Sequence, residues 1–202
     1  MTVRRATRGP GLVGKTRGVA DSLRGRLLVA TPELQDPNFV RTVVLVLEHN
    51  AEGALGVVLN RPTDTTLVGA LPAWADLGAA PAVVFVGGPV QPEAAIGLAR
   101  CGAETEADGF APLFGDLGTV DLDRDPMDVT AVVDVVRVYV GYSGWGPGQL
   151  DGEVAADGWY VVDAAPEDPW ASQPGGLWRA VLRRQSGPLR LVAGFPEDPS
   201  LN

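Results

Sequence analysis

The sequence predicts a single α+β domain, and three observations carry that reading. Short apolar runs rich in valine recur along the chain, separated by glycine, proline and asparagine rather than by long polar tracts. One segment, residues 176–185, shows clear helical periodicity. Strands and short helices mix irregularly, without the regular βα repeat of a doubly wound sheet. With 202 residues, 46% hydrophobic and 20% charged, the chain can build one sizeable core, and no repeat or linker divides it. Its 26 glycines and 17 prolines lie between the apolar runs, so they mark many turns.

The elements follow in order. Residues 26–31 (RLLVAT) form an apolar strand that Pro32 stops. Residues 36–41 (DPNFVR) form one helical turn, with Asp36 as N-cap and Pro37 in the first position. Residues 42–49 (TVVLVLEH) are apolar almost throughout, the pattern of a strand buried on both faces. After the polar break NAEG, residues 53–60 (GALGVVLN) complete a hairpin. Residues 63–74 predict a short amphipathic helix capped by Thr63 or Asp64. Residues 82–88 (AVVFVGG) form a strand, and residues 103–126 an acidic loop. The apolar run 132–140 leads into GYSGWGPGQLDGE (141–153), read as a strand-to-helix turn packed on the core by Tyr142 and Trp145. A strand at 158–164 precedes the helix at 176–185, which turns Leu177, Trp178, Val181 and Leu182 to one face.

Charge is distributed unevenly. The net charge is −9, yet residues 1–26 hold seven of the 16 basic residues against one acid, Asp21. Residues 1–24 are therefore assigned to a basic, unstructured tail and residues 25–202 to the domain. An acidic body is poorly matched to a phosphate backbone, so sequence-specific DNA binding is not expected. The tail lacks an aromatic residue for base stacking, though its charge leaves a salt-sensitive nucleic-acid contact open. The single cysteine, Cys101, excludes an internal disulfide. No run reaches the roughly 18 apolar residues of a spanning helix, and the N-terminus lacks an apolar signal core; a cytoplasmic protein without membrane attachment is expected.

Four patterns suggest chemistry and fall short of it. GPGLVGKT (9–16) matches a phosphate-binding loop, but only a short polar segment precedes it where the motif needs a strand. DLDRDP (121–126) alternates acids like a calcium loop, but Pro126 replaces the glycine of the sixth position and Val132 the glutamate of the twelfth. GYSGW (141–145) lacks the last glycine of a nucleophile elbow, because Trp145 occupies it. One cysteine and one histidine cannot supply a four-ligand zinc site. No catalytic residue, metal or cofactor is assigned.

What remains is a series of polar and glycine residues at strand ends: Asn38, Arg41, Glu48, His49, Asn60, Arg61, Gly87 and Gly88. Ser143 and Gln149 in the glycine-rich stretch complete the binding candidates. Residues on loops of a rigid scaffold can line a cleft, while capping and turn formation account for the same residue types. Two functions stay open. One is a non-enzymatic binding or regulatory domain that recognises a protein partner or a small molecule. The other is a hydrolase-like enzyme using His49 as base or Ser143 as nucleophile.

Three blocks, residues 25–62, VFVGGPVQ (84–91) and YSGWGPGQLDGE (142–153), resemble the AlgH/YqgE family of bacterial proteins, and the ending AGFPEDPSLN resembles its actinobacterial members. The resemblance runs from about Gly25 to the helix near Arg184 and leaves the phosphate-loop lookalike outside. It implies a compact α+β domain with a strongly bent, barrel-like mixed sheet flanked by helices. It implies no reaction and brings no catalytic residues. The family label of transcriptional regulator fits better with action through a protein partner or small ligand than through DNA, since no helix-turn-helix is visible.

Overall fold

Strand β2, Val43–Asn50, shows how the core is built. Side chains alternate across a strand, so an unbroken apolar run must serve two cores. Val43, Leu45 and Leu47 enter one hydrophobic cluster, and Val44 and Val46 enter another on the opposite face. The neighbouring strand β1, Arg26–Ala30, divides likewise: Leu27 and Val29 join the first cluster, Leu28 and Ala30 the second. This computed structural model describes residues 22–102 and 107–196. The phosphate-loop lookalike at 9–16 and most of the basic tail lie outside the described residues.

Eight further strands complete the sheet: β3 (Gly53–Val58), β4 (Pro62–Thr66), β5 (Val83–Val86), β6 (Val90–Cys101), β7 (Phe110–Phe114), β8 (Leu117–Val120), β9 (Val133–Trp145) and β10 (Trp159–Asp163). Its main path runs β10-β1-β2-β3-β9-β6-β8-β7, antiparallel throughout. Off this path, β4 pairs with β5, and β5 runs parallel to β9, which makes the sheet mixed. The sheet curls into a half-barrel. The helices are short: α1 (Leu67–Ala70), α2 (Gln149–Ala155), α3 (Leu177–Arg183) and α4 (Leu189–Val192). Helix α3 buries Leu177, Trp178, Val181 and Leu182 in the first cluster, as its periodicity predicts. Among the described residues, no helix is long and apolar enough to cross a membrane.

Several expectations are corrected. Residues 63–74 are not one helix: Thr63–Thr66 continue strand β4, and Thr66, not Thr63 or Asp64, caps the single turn of α1 by accepting the Gly69 N–H. Three β-branched threonines favour the extended chain here. The acidic loop contains the β7–β8 hairpin, whose strands carry apolar residues while acids sit at its turns. Residues 141–145 finish strand β9 rather than form a turn; the turn follows at 146–148, where Gly148 adopts φ +69° before α2.

Other expectations hold. Asp36 caps the 36–41 turn, its Oδ1 accepting the Asn38 N–H at 2.8 Å. Around 121–126, Arg124 pairs with Asp108 and Asp121, and Asp125 caps the next turn through the Met127 N–H. These acids are engaged in local structure.

Candidate functional site

The C-terminal end of β2 passes out of the core at Glu48, His49 and Asn50, where burial gives way to exposure. Opposite them, β6 and β8 present Ala95, Ile96, Gly97, Thr119 and Val120. Between the two walls lies a cleft of about 780 Å³ with an apolar floor that includes Leu47, Leu55 and Leu113. Ser22 and Arg24 close one side. The Arg24 guanidinium donates to the Leu47 carbonyl on β2 and to the Leu113 carbonyl on β7, so one side chain spans the mouth of the half-barrel. Ser22–Arg24, assigned to the tail from its basic charge and lack of apolar periodicity, pack on the domain.

His49 is held at two points. Its Nδ1 accepts the Leu23 N–H at 3.0 Å, which leaves the neutral ring's proton on Nε2. Nε2 lies 3.7 Å from Asp151 Oδ2, at the start of α2. The ring side chain is 8% exposed, and the Ser22 hydroxyl donates to the His49 carbonyl. The histidine therefore fastens the segment before β1 to the end of β2.

A second cleft of about 480 Å³ lies beside the first, at the end of the β2–β3 hairpin. It is lined by Glu48, Asn50, Glu52, Val90, Tyr142 and Trp145, among others, and shares Glu48, Asn50 and Leu55 with the first. The two clefts adjoin along these residues and together are called the groove.

The sequence candidates divide between this groove and other duties. Glu48 and His49 line it. Asn38, Arg61 and Gly88 line a separate cleft of about 450 Å³ with Pro37, Pro62, Pro89 and Pro92. Arg41 stacks on Trp178, 4.4 Å from the ring centre, and donates to the carbonyls of Phe195 and Pro196. Asn60 is buried as a backbone clamp: Oδ1 accepts the Val43 N–H at 2.9 Å, and Nδ2 donates to the Arg41 carbonyl at 2.8 Å. Gly87 lies where a Cβ would collide with the Gly141 carbonyl, and at Gly88 one would collide with Tyr142. Gln149 accepts the Gly146 N–H and donates to Glu153, which fixes the entry to α2.

Ser143 is fully buried on β9, and its hydroxyl donates to the Gly87 carbonyl at 3.1 Å. It pairs with Gly56 on β3, whereas His49 pairs with Ala54 from the other side of that strand. Serine and histidine are thus engaged separately, and the arrangement lends the hydrolase reading no support.

This curled sheet and its groove can be compared with known proteins. A family model described as AlgH-like matches residues 27–190, most of the chain. The chain belongs to the AlgH-like family. A UPF0301 protein of Streptomyces coelicolor is 50% identical over 185 residues, covering 90% of this chain and 96% of the relative. A UPF0301 protein of Mycobacterium tuberculosis is 48% identical over 181 residues, covering 88% and 90%. Among solved structures, a Corynebacterium diphtheriae protein superposes with a TM-score of 0.77 at 31% identity, covering 85% of this chain and 92% of that one. The AlgH protein of Pseudomonas aeruginosa gives 0.65 at 26% identity, covering 91% and 99%. The Streptomyces, Mycobacterium and Corynebacterium proteins agree with the resemblance to actinobacterial members, and none of the names states a reaction.

In this AlgH-like chain, sequence reasoning missed Ser22, Arg24, Ala95, Ile96, Thr119, Tyr142 and Glu52 as groove residues. Their placement depends on strand pairing between distant segments, for which no local motif exists. Glu52 alone had a signal, in the polar break of the hairpin.

Proposed function

We propose that this AlgH-like chain is a non-enzymatic binding domain whose groove at the mouth of the half-barrel takes a small molecule. The observation that carries the reading is the adjacency of the two clefts, which share Glu48, Asn50 and Leu55 in their linings. Concave sites with an apolar floor and a few convergent polar groups are the usual form of a small-ligand site. Glu48, His49, Asn50, Arg24 and Thr119 supply that polar rim over the leucine floor. A regulatory role follows the same route: a ligand in the groove alters the surface offered to a protein partner, and DNA contact plays no part. A cytoplasmic setting suits the lone cysteine, whose buried thiol donates to the Asp116 carbonyl.

The experiment is native mass spectrometry of the purified chain for a retained ligand, followed by thermal-shift screening of a metabolite panel. Ala95 is an exposed residue at the edge of the first cleft, so Ala95→Trp fills the groove without disturbing the core. A ligand of the groove raises the melting temperature of the native chain and not that of A95W. If nothing is retained and no compound separates the two proteins, the reading fails.

A further inference from the structure

The second cleft differs chemically from the first. Arg24 and His49 line the first, but among the described residues no lysine, arginine or histidine lines the second. Its charged residues are Glu48 and Glu52, both exposed. Glu48 Oε1 accepts the Asn50 side-chain amide at 2.7 Å, and neither carboxylate forms an ion pair among the described residues. Tyr142 and Trp145 are among the lining residues, and the Tyr142 ring lies beside Gly144 in that lining. The Trp145 ring itself is buried against Phe39 and Trp159, with its indole N–H donating to Glu153, so this end of β9 is firmly anchored behind the cleft.

Gly144 adds a third observation. It is exposed, has no positive φ, and lines this cleft between the two aromatic residues. A Cβ there would lie 3.2 Å from Tyr142 Cε2 and 3.5 Å from Val90 Cγ2. The missing side chain leaves the Tyr142 ring beside the bare backbone of β9, open to the cleft.

Carboxylates without cationic partners beside aromatic rings attract a positive charge twice over. The ring quadrupole and the anionic oxygens both favour a cation, and the apolar wall reduces competition from water. An anion meets repulsion from both glutamates and from a chain of net charge −9. The geometry points to the second cleft as a subsite for an organic cation, a guanidinium or alkylammonium group, held by Glu48 and Glu52 against Tyr142. This assignment rests on the groove being a ligand site and names the chemistry of one end of it.

Agmatine, which carries both cationic groups, is the probe, and succinate, a dianion of similar size, is its control. Isothermal titration of the full chain at low ionic strength is expected to give saturable agmatine binding and none for succinate. Glu48→Gln with Glu52→Gln keeps the shape of the cleft and removes its charge, weakening binding about tenfold or more. Gly144→Ala keeps the charge and crowds Tyr142, and it also weakens binding. Circular dichroism establishes that each variant is folded. The proposal is overturned if agmatine fails to saturate, or if the double glutamine variant binds it like the native chain. Where agmatine fails while another compound still separates the native chain from A95W, the cation assignment falls and the groove reading stands. Where agmatine binding depends on both glutamates but no compound separates the native chain from A95W, the subsite stands and the wider groove falls.

Discussion

Trp145 and Trp159 donate their indole N–H groups to one carboxylate oxygen, Oε2 of Glu153, each at 2.9 Å, and their rings meet edge to face with centroids 6.3 Å apart. Phe39 packs against both rings. One acidic side chain on α2 thereby locks the end of β9 to β10 through a buried aromatic cluster. Glu153→Gln retains the shape but presents an amide group where two donors need an acceptor. We predict a loss of about 2 kcal/mol, the scale of hydrogen bonds to a charged group, read as a lower urea midpoint at unchanged slope.

Asn60 is expected to matter for folding rather than for binding. Asn60→Ala strands the Val43 N–H and the Arg41 carbonyl. Leaving such groups unpaired costs about 1–3 kcal/mol each, so chemical denaturation should show a large loss. Arg61→Ala, which removes exposed contacts to the Val40 and Pro37 carbonyls, should change stability by less than about 1 kcal/mol. Equal effects of the two substitutions would contradict this division.

Ser143 should be inert to active-site serine reagents. Its hydroxyl is fully buried and bonded to Gly87. Fluorophosphonate treatment followed by peptide mass mapping is expected to leave Ser143 unmodified. Ser143→Ala should cost about 1 kcal/mol, the net worth of one hydrogen bond. A covalent adduct at Ser143 would revive the hydrolase reading.

Tyr139 gives a pH-dependent test. The side chain is wholly buried, and its hydroxyl has no hydrogen-bond partner among the described residues. Burial pushes the phenol well above its ordinary value of 10.0, with the nearby Arg137 charge opposing in part. Because the folded-state value is raised, the contribution is fully present below the unfolded value of 10.0 and declines as pH rises from there toward the folded value. Stability should therefore decline above about pH 10. Tyr139→Phe removes this alkaline loss and, by deleting an unpaired buried hydroxyl, is expected to be at least as stable at neutral pH. Denaturation of both proteins at neutral and alkaline pH decides it.

The fold was largely legible where one segment's pattern determines its own burial. The doubly apolar β2, the hairpin to β3, the Asp36-capped turn and the face of α3 all follow from local spacing. The acidic composition around β7 and β8 hid their hairpin because its charges sit at turns. Strand β6 was obscured by Pro92 and Glu93 near its start, where its pairing with β9 shifts register between Val90 and Ala95. The groove was half legible. Glu48 and His49 mark a strand leaving the core, but the facing wall of Ile96 and Thr119 comes from strands distant along the chain. Arg137 was hidden entirely: it interrupts an apolar run, yet it is 1% exposed, stacked on Phe85 and bonded to the carbonyls of Ala80, Pro169 and Ala171.

Arg24 also has a mechanical meaning. The β10-β1-β2-β3 leaf joins β9 along only three residue pairs, Ala54 to Gly56 against Trp145 to Ser143. With so short a ladder the two parts of the sheet are held together largely by their shared core, and the Arg24 guanidinium adds a latch from the Leu47 carbonyl to the Leu113 carbonyl. The residue before that latch is in turn held down by the only histidine in the chain, which accepts the Leu23 N–H, so one imidazole anchors a strap laid across two distant strands.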